Sequence, residues 1–257
     1  MTIAAPTLTV IGVEGLPMVA LGDDLADLLL DALAAQDLVL EDGDVLVVAQ
    51  KIVSKAEGRL VRLADVTPSP EAEVLGRETD KDPRLVQLIL DESTDVVRKK
   101  PGVLIVRHAL GIVGANAGID QSNIEHGEDE SALLLPEDPD ASAARLHAEL
   151  LRRTGRHVGV IISDSANRPW RLGTVGMAIG AAGVAPLHDH RGGTDLFGRE
   201  LKVTLINRAD SLATAATLVM GETTERIPAA LVKGLAPDVT SEGAASILRP
   251  LEEDLFQ

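Results

Sequence analysis

The chain has 257 residues, 45% of them hydrophobic, which suffices for one large domain or two intimately packed ones. Aromatics amount to 1%, with Trp170, Phe197 and Phe256 the complete set, so base stacking on aromatic platforms is all but excluded, and a formal charge of -16 repels nucleic-acid backbones. The lack of cysteine removes disulfides, thiolate metal sites and a cysteine nucleophile, which fits a reducing cytoplasm.

The first twenty residues have no basic start followed by a clean apolar stretch, so they do not read as a signal peptide. No apolar run reaches the roughly 18 residues needed to span a bilayer. A soluble, cytoplasmic protein without a membrane or nucleic-acid partner is expected.

Residues 7–13 are rich in β-formers and predict a strand, after which Gly15-Leu16-Pro17 turns the chain. Asp23 or Asp24 is placed to cap a helix through Leu33, with Leu25, Leu29 and Ala32 on one face. Asp42-Gly43-Asp44 marks a turn into the apolar strand 45–49, and the segment from Gln50 to Arg59 leaves its end. Residues 64–81, polar and interrupted by Pro68 and Pro70, read as a surface connection. Asp82-Pro83 supplies an N-cap and a first-turn proline for a helix that buries Leu85, Leu88 and Ile89. A further apolar strand, 103–106, leads through Gly111 into GANAGID, which ends at Asp120.

The acid-rich stretch from Glu125 to Asp140, with Pro136 and Pro139, predicts an exposed loop. Asp140 is placed to cap the next helix, where Leu146 and Leu150 share one face and Arg145, Glu149 and Arg153 stand at pairing distance on another. Residues 158–162 form the clearest predicted strand, ending at Ser163-Asp164-Ser165. Gly173, Gly176, Gly180 and Gly183 then space an apolar segment, with close packing as the reason for them. A loop about 188–198, a strand 201–206, a helix 209–220 and a strand 229–232 complete the chain. Alternating strands and helices favour an α/β or mixed α+β architecture. Neither GxxxxGK[ST] nor GxGxxG occurs, so a bound nucleotide needs another kind of site.

Asp120 in GANAGIDQSN and Asp164 in ISDSANRPWR each follow an apolar stretch among small or polar residues. With the Ser165 hydroxyl they would suffice for Mg2+ or Mn2+, which take one or two carboxylates plus phosphate oxygens and water. Capping of a turn or helix explains each aspartate as well. The segment QKIVSKAEGR gathers Lys51, Lys55 and Arg59 at a strand end, where Lys51 and Lys55 can neutralise phosphate, although solvated lysines account for the same letters. Arg168 and Arg171 form a second small basic group open to the same two readings. His188-Asp189-His190 has a metal-like alternate spacing, but its setting before Arg191-Gly192-Gly193 is that of a loop.

Nine collinear stretches, EGLPMVALGDDL, DGDVLVVAQKIVSKAEGR, GANAGIDQSN, LLLPEDPDASA, VGVIISDSANRPWRLG, AIGAAG, DLFGREL, ADSLATAATLVMGE and IPAALVKGL, resemble the F420-0:gamma-glutamyl ligase family over essentially the whole chain. The resemblance implies one ligase domain over 1–257, with room for two packed subdomains, in an α/β fold with a mixed sheet assembled as an intertwined homodimer. It implies use of GTP to activate the terminal carboxylate of coenzyme F420-0 as an acyl phosphate, which the amine of L-glutamate then attacks. The family's nucleotide positions fall on Leu16, Pro17, Met18, Val19, Gln50, Lys51, Lys55 and Asn123, and on Met220, Gly221, Glu222, Thr223, Thr224, Glu225, Arg226 and Ile227. Its metal positions, for two Mg2+ or Mn2+ ions per subunit with K+ as a further cation, fall on Asp120, Asp164 and Ser165. Asp120, Asp164 and Lys55 are then the catalytic residues. The chain departs from relatives that carry small hydroxyl residues at Gln50 and Lys51, or threonine at Ser165. Some bacterial relatives continue into a flavin-binding, nitroreductase-like domain, whereas this chain stops at Gln257, so ligase activity without a flavin-dependent step is expected. Two readings remain beside this one: another metal-dependent nucleotide ligase or phosphotransferase acting on a small carboxylate, and a catalytically idle nucleotide- or metal-binding protein.

Overall fold

A computed structural model describes residues 5–124, 126, 129–167, 170–238 and 240–254. In chain order the elements begin with β1 (Thr9–Gly12), α1 (Leu25–Ala35), β2 (Val45–Ala49), α2 (Gln50–Ala56), β3 (Leu60–Arg62), α3 (Pro70–Thr79) and α4 (Pro83–Asp91). There follow β4 (Ser93–Lys100), β5 (Val103–His108), β6 (Val113–Ala115), β7 (Ser131–Leu133), α5 (Pro139–Thr154), β8 (Gly159–Asn167) and β9 (Thr174–Ala182). The chain closes with β10 (Leu187–Asp189), β11 (Leu205–Asn207), α6 (Arg208–Met220) and β12 (Ala229–Lys233). It is a mixed α/β chain with several sheets, divided into two compact units. The first unit holds the residues up to Pro17, Asp24–Ala49 and Pro139–Ile247, and the second holds Met18–Asp23, Gln50–Asp138 and the residues from Leu248 on.

The first unit is built on a five-stranded sheet in the order β1-β12-β2-β8-β9, in which only β2 and β8 run parallel. Val45, Leu46, Val47 and Val48 of β2 are all buried, as a strand covered on both faces requires. The α6 helix packs on this sheet through Ala209, Leu212, Ala213, Ala216 and Met220, spaced along one helical face. Two glycines of β9 set how close the helices come. A Cβ on Gly176 would lie 2.3 Å from the Ala213 carbonyl oxygen of α6, and one on Gly180 would lie 2.3 Å from the Pro139 carbonyl oxygen of α5. Aspartates in the first turns of the same helices accept N–H groups from β9: Asp210 from Ala178 at 2.9 Å and Asp140 from Ala181 at 2.8 Å. Asp140 therefore ties α5 to β9, and to the N–H groups of Ala244 and Ala245, rather than capping its own helix. Arg153 meets Glu149 at 3.0 Å as the spacing predicts, while Arg145 donates to the Ser142 hydroxyl.

The second unit packs α3 and α4 with the three-stranded sheet β4-β5-β6 around Leu75, Leu85, Ile89, Leu104, Val106 and Leu134. Asp82 caps α4 by accepting the Arg84 N–H, and each of the four residues the helix buries contributes roughly 1.5–3 kcal/mol. The predicted surface connection at 64–81 is corrected here, because Ser69 accepts the Ala72 N–H and Pro70 opens α3, a helix. Its buried positions, Ala72, Leu75, Gly76 and Thr79, are mostly small, which is why no hydrophobic period stands out.

Three other expectations are corrected. The loop expected from 125 to 140 contains β7, paired antiparallel with β3, and residues 131–136 are buried. The strand expected at 158–162 extends to Asn167 as β8, so Asp164 lies within it. The strand expected at 201–206 is confined to β11, which pairs with β10. Among the described residues no helix is long and apolar enough to cross a membrane.

Candidate functional site

The second unit brings five of the predicted site residues together. In α2, Gln50, Lys51, Ser54 and Lys55 share a face through their one-turn spacing. Gln50 is 1% exposed; its Oε1 accepts from the Ser54 hydroxyl at 2.9 Å, and its Nε2 stands 3.5 Å from Asp120 Oδ2. Lys51 Nζ lies 3.1 Å from the same oxygen and 3.4 Å from Ser122 Oγ, which in turn stands 3.4 Å from Asp120 Oδ1. One turn on, Lys55 Nζ donates to the Asn123 carbonyl oxygen at 3.0 Å.

The backbone fixes Asp120 from behind. Its N–H donates to the Leu133 oxygen at 3.0 Å and its oxygen accepts the Leu133 N–H at 2.8 Å. Before it, separated by the extended Ile119, Asn116, Ala117 and Gly118 have φ of +53°, +55° and +68°, and after it Asn123 has +55°. A residue with a Cβ costs about 1–2 kcal/mol in this left-handed region, and such strain gathers at functional sites. Stability does not account for the charged pair that this backbone presents. With the Lys51 and Asp120 side chains 26% and 30% exposed, the pair contributes about 0–1 kcal/mol. Carboxylate, hydroxyl and backbone carbonyl oxygens suit a hard divalent cation, and the two ammonium groups suit phosphate.

In the first unit the remaining predicted residues leave one edge of the five-stranded sheet. The pairs Gly12↔Ala230, Ala229↔Val48 and Ala49↔Ser163 place the end of β1, the start of β12, the end of β2 and Ser163 of β8 along that edge. The turn carrying Leu16 and Pro17 follows β1, residues 220–227 precede β12, and Asp164 and Ser165 follow Ser163. The carboxyl ends of parallel strands are where open α/β sheets commonly bind ligands. Leu16 is buried, Pro17 exposed and residues 222–226 exposed; Met18, exposed, and Val19, buried, belong to the second unit.

Beyond Ser163, β8 pairs only with β9. Ile162 faces Gly180 while Ser163 faces Ala178, so Ile179 is an extra, bulged residue beside the start of this ribbon. Asp164 and Ser165 then pair regularly with Met177 and Gly176, so their side chains leave opposite faces. In the turn after α6, Thr223 donates its N–H to Glu225 at 2.8 Å. The N–H groups of Glu225 itself, then Thr223 and Thr224, hold this carboxyl below the usual glutamate range. These amides already converge on a negative charge.

The His188-Asp189-His190 spacing does not build a metal site. Arg208 Nη1 lies 3.1 Å from His188 Nε2, and Arg191 engages both Asp189 oxygens and pulls that carboxyl down to about 2. Among the described residues no group of three or more His, Asp or Glu is placed to hold a metal ion. Of the second basic group, Arg168 lies outside the described residues, and Arg171 is exposed.

A family model described as F420-0:Gamma-glutamyl ligase matches residues 15–234, which include every described residue of both clusters. The chain belongs to the F420-0:gamma-glutamyl ligase family. Similar proteins named Coenzyme F420:L-glutamate ligase include that of Methanothermobacter thermautotrophicus, 45% identical over 97% of this chain and 99% of the relative. That of Methanopyrus kandleri is 46% identical over 98% of each chain, and that of Methanocaldococcus jannaschii 43% identical over 96% of each.

Within this family member the sequence reading overlooked a second layer behind Asp120. Arg59 Nη2 donates to both Glu92 oxygens at 2.9 Å, and His108 Nε2 lies 3.3 Å from Glu92. The His108 ring close beside it, and then the Arg59 guanidinium, hold the Glu92 carboxyl below its ordinary range. Glu92 and His108 stand 16 positions apart and meet through the pairing of β4 with β5, while Arg59, marked in the sequence only as a cation of QKIVSKAEGR, reaches Glu92 across 33 positions. Ser122 lies within GANAGIDQSN, and Ser54 is recognisable only by its four-residue spacing from Gln50.

Proposed function

We propose that the protein is a GTP-dependent coenzyme F420-0:L-glutamate ligase acting in coenzyme F420 biosynthesis in the cytoplasm. The observation that carries this reading is the backbone-clamped Asp120 beside Lys51, with Lys55 one turn away and left-handed residues on either side of it, in a member of this family. Similar proteins bear the ligase name over nearly their whole length.

In this reading the γ-phosphoryl group of GTP passes to the terminal carboxylate of F420-0, giving an acyl phosphate and GDP. The glutamate amine then attacks the acyl carbon, loses a proton and expels phosphate, leaving an amide. Lys51 and Lys55 bind the phosphate oxygens, and Gln50 and Asn123 orient the nucleotide. The turn 220–227 offers backbone N–H groups to an anion. Asp120, Asp164 and Ser165 would hold two Mg2+ or Mn2+ ions per subunit, with K+ as a further cation, and such ions would supply positive charge to offset that of the phosphates. Because Asp164 and Ser165 point to opposite faces, their side chains would serve different ions. Further rounds add further γ-linked glutamates.

The test is mass spectrometry of the product formed from F420-0, L-glutamate, GTP and Mn2+. A ladder rising in glutamyl increments is expected, and its absence, or equal yield with ATP in place of GTP, counts against the reading.

We also propose an intertwined homodimer. On the segment joining β10 to β11, Leu196, Phe197 and Val203 are 98%, 94% and 84% exposed, although the chain has only two phenylalanines. Apolar side chains concentrated on one exposed segment mark an interaction surface, and a second copy of the chain is the occupant we propose. Light scattering should give twice the 27.0 kDa of one chain, falling to one chain for Leu196→Asp with Phe197→Asp. An unchanged mass for the double variant would rule out this surface.

A further inference from the structure

Arg59 stands where α2 ends, and its backbone and side chain touch both elements that present the Lys51–Asp120 pair. Its N–H donates to the Ser54 oxygen at 2.9 Å, tying it to α2. Its own carbonyl oxygen accepts the Leu134 N–H at 3.1 Å and its Nε donates to the Leu135 oxygen at 2.8 Å, tying it to the segment that continues β7. Leu133, one residue earlier on that segment, exchanges both backbone hydrogen bonds with Asp120. From Ser54 the link returns through its hydroxyl to Gln50 and from Gln50 to Asp120. A closed circuit therefore runs from Arg59 through α2 to Asp120 and back through β7.

The guanidinium is held in turn. Nη2 donates to both oxygens of Glu92, and behind Glu92 stands His108, 5% exposed. The Leu110 N–H donates to His108 Nδ1 at 2.9 Å, so in the neutral ring the proton sits on Nε2, which faces Glu92. Lysine cannot reproduce this arrangement, because it lacks the planar fork that lets one side chain meet Glu92 and the Leu135 carbonyl together.

We propose that Arg59, locked by Glu92 and His108, is a positioning residue that holds the α2 lysines and Asp120 in register for a metal-bound triphosphate. The inference rests on the reading of Asp120 as a cation ligand given above. Groups behind metal ligands typically change affinity by about 10–100-fold when altered.

The experiment titrates full-length protein with Mn2+ in the presence of GTP, with F420-0 omitted so that no turnover occurs, and follows free Mn2+ by paramagnetic resonance. Thermal melts run alongside. Arg59→Lys should bind Mn2+ at least about tenfold more weakly while melting within a few degrees of wild type. Glu92→Gln, which keeps the side-chain shape and serves if the lysine variant melts early, should do the same. The double variant should be no weaker than either single, since both changes break one clamp. Additive losses, or wild-type binding in Arg59→Lys while Asp120→Asn loses Mn2+, would overturn the clamp and leave the site reading intact. Wild-type Mn2+ binding in Asp120→Asn would overturn the site reading and the clamp with it.

Discussion

Replacing Asp120 by alanine should lower glutamate ligation by about 10²–10³-fold or more, the range seen when one preorganised electrostatic group is removed from a transition state. The fold should survive. The Asp120 backbone keeps its two hydrogen bonds to Leu133, and the half-exposed pair with Lys51 contributes about 0–1 kcal/mol. Activity should therefore fall without a matching fall in melting temperature. Asp164→Asn should behave in the same way, because Asp164 sits past the last residue of β8 that pairs with β2, where the sheet core no longer depends on it. GDP release and product mass, measured beside a circular-dichroism melt, check both variants; near-normal glutamylation by either removes it from the catalytic set.

Gly180→Val should act on the opposite quantity, destabilising the fold by about 3 kcal/mol with no direct effect on the site residues. The new Cβ would meet the Pro139 carbonyl oxygen at 2.3 Å and the Pro139 Cβ at 2.9 Å. Neither atom can move aside alone. Pro139 opens α5, and the next residue, Asp140, is hydrogen-bonded to Ala181 and Ala244. The helix must lift off β9 or the strand must bend, and both disturb the packing of α5 on the sheet. For a chain of this size the shift in melting temperature is roughly 8 °C. A melt within 2 °C or so of wild type would show that α5 does not press on Gly180 as described.

Local sequence already encodes much of this fold. The strands β1, β2 and β12 and the helices α1, α4 and α6 follow from short-range rules: apolar runs, aspartate caps and one-face periodicity. Asp120 and Asp164 stand out for a related reason, as carboxylates that directly follow apolar stretches. The nine blocks then point to the family before any coordinate is considered.

Tertiary structure decided the rest. The α3 helix is masked in sequence because its buried face is mostly Ala72, Gly76 and Thr79, residues too small to mark a hydrophobic period. The β4 strand, reading STDVVRKK, exists because its backbone pairs with β5 and not because of its letters. The Ile179 bulge and the pleat that separates Asp164 from Ser165 appear only once β8 and β9 are in register. Lys51 and Asp120 are 69 residues apart, and Arg59 and Glu92 are 33 apart. Residues so distant meet only when folding buries enough apolar surface to offset the entropy of closing the loop between them. Residue type and spacing thus determined which groups this chain can bring to bear, while backbone pairing over long separations decided which of them share a face.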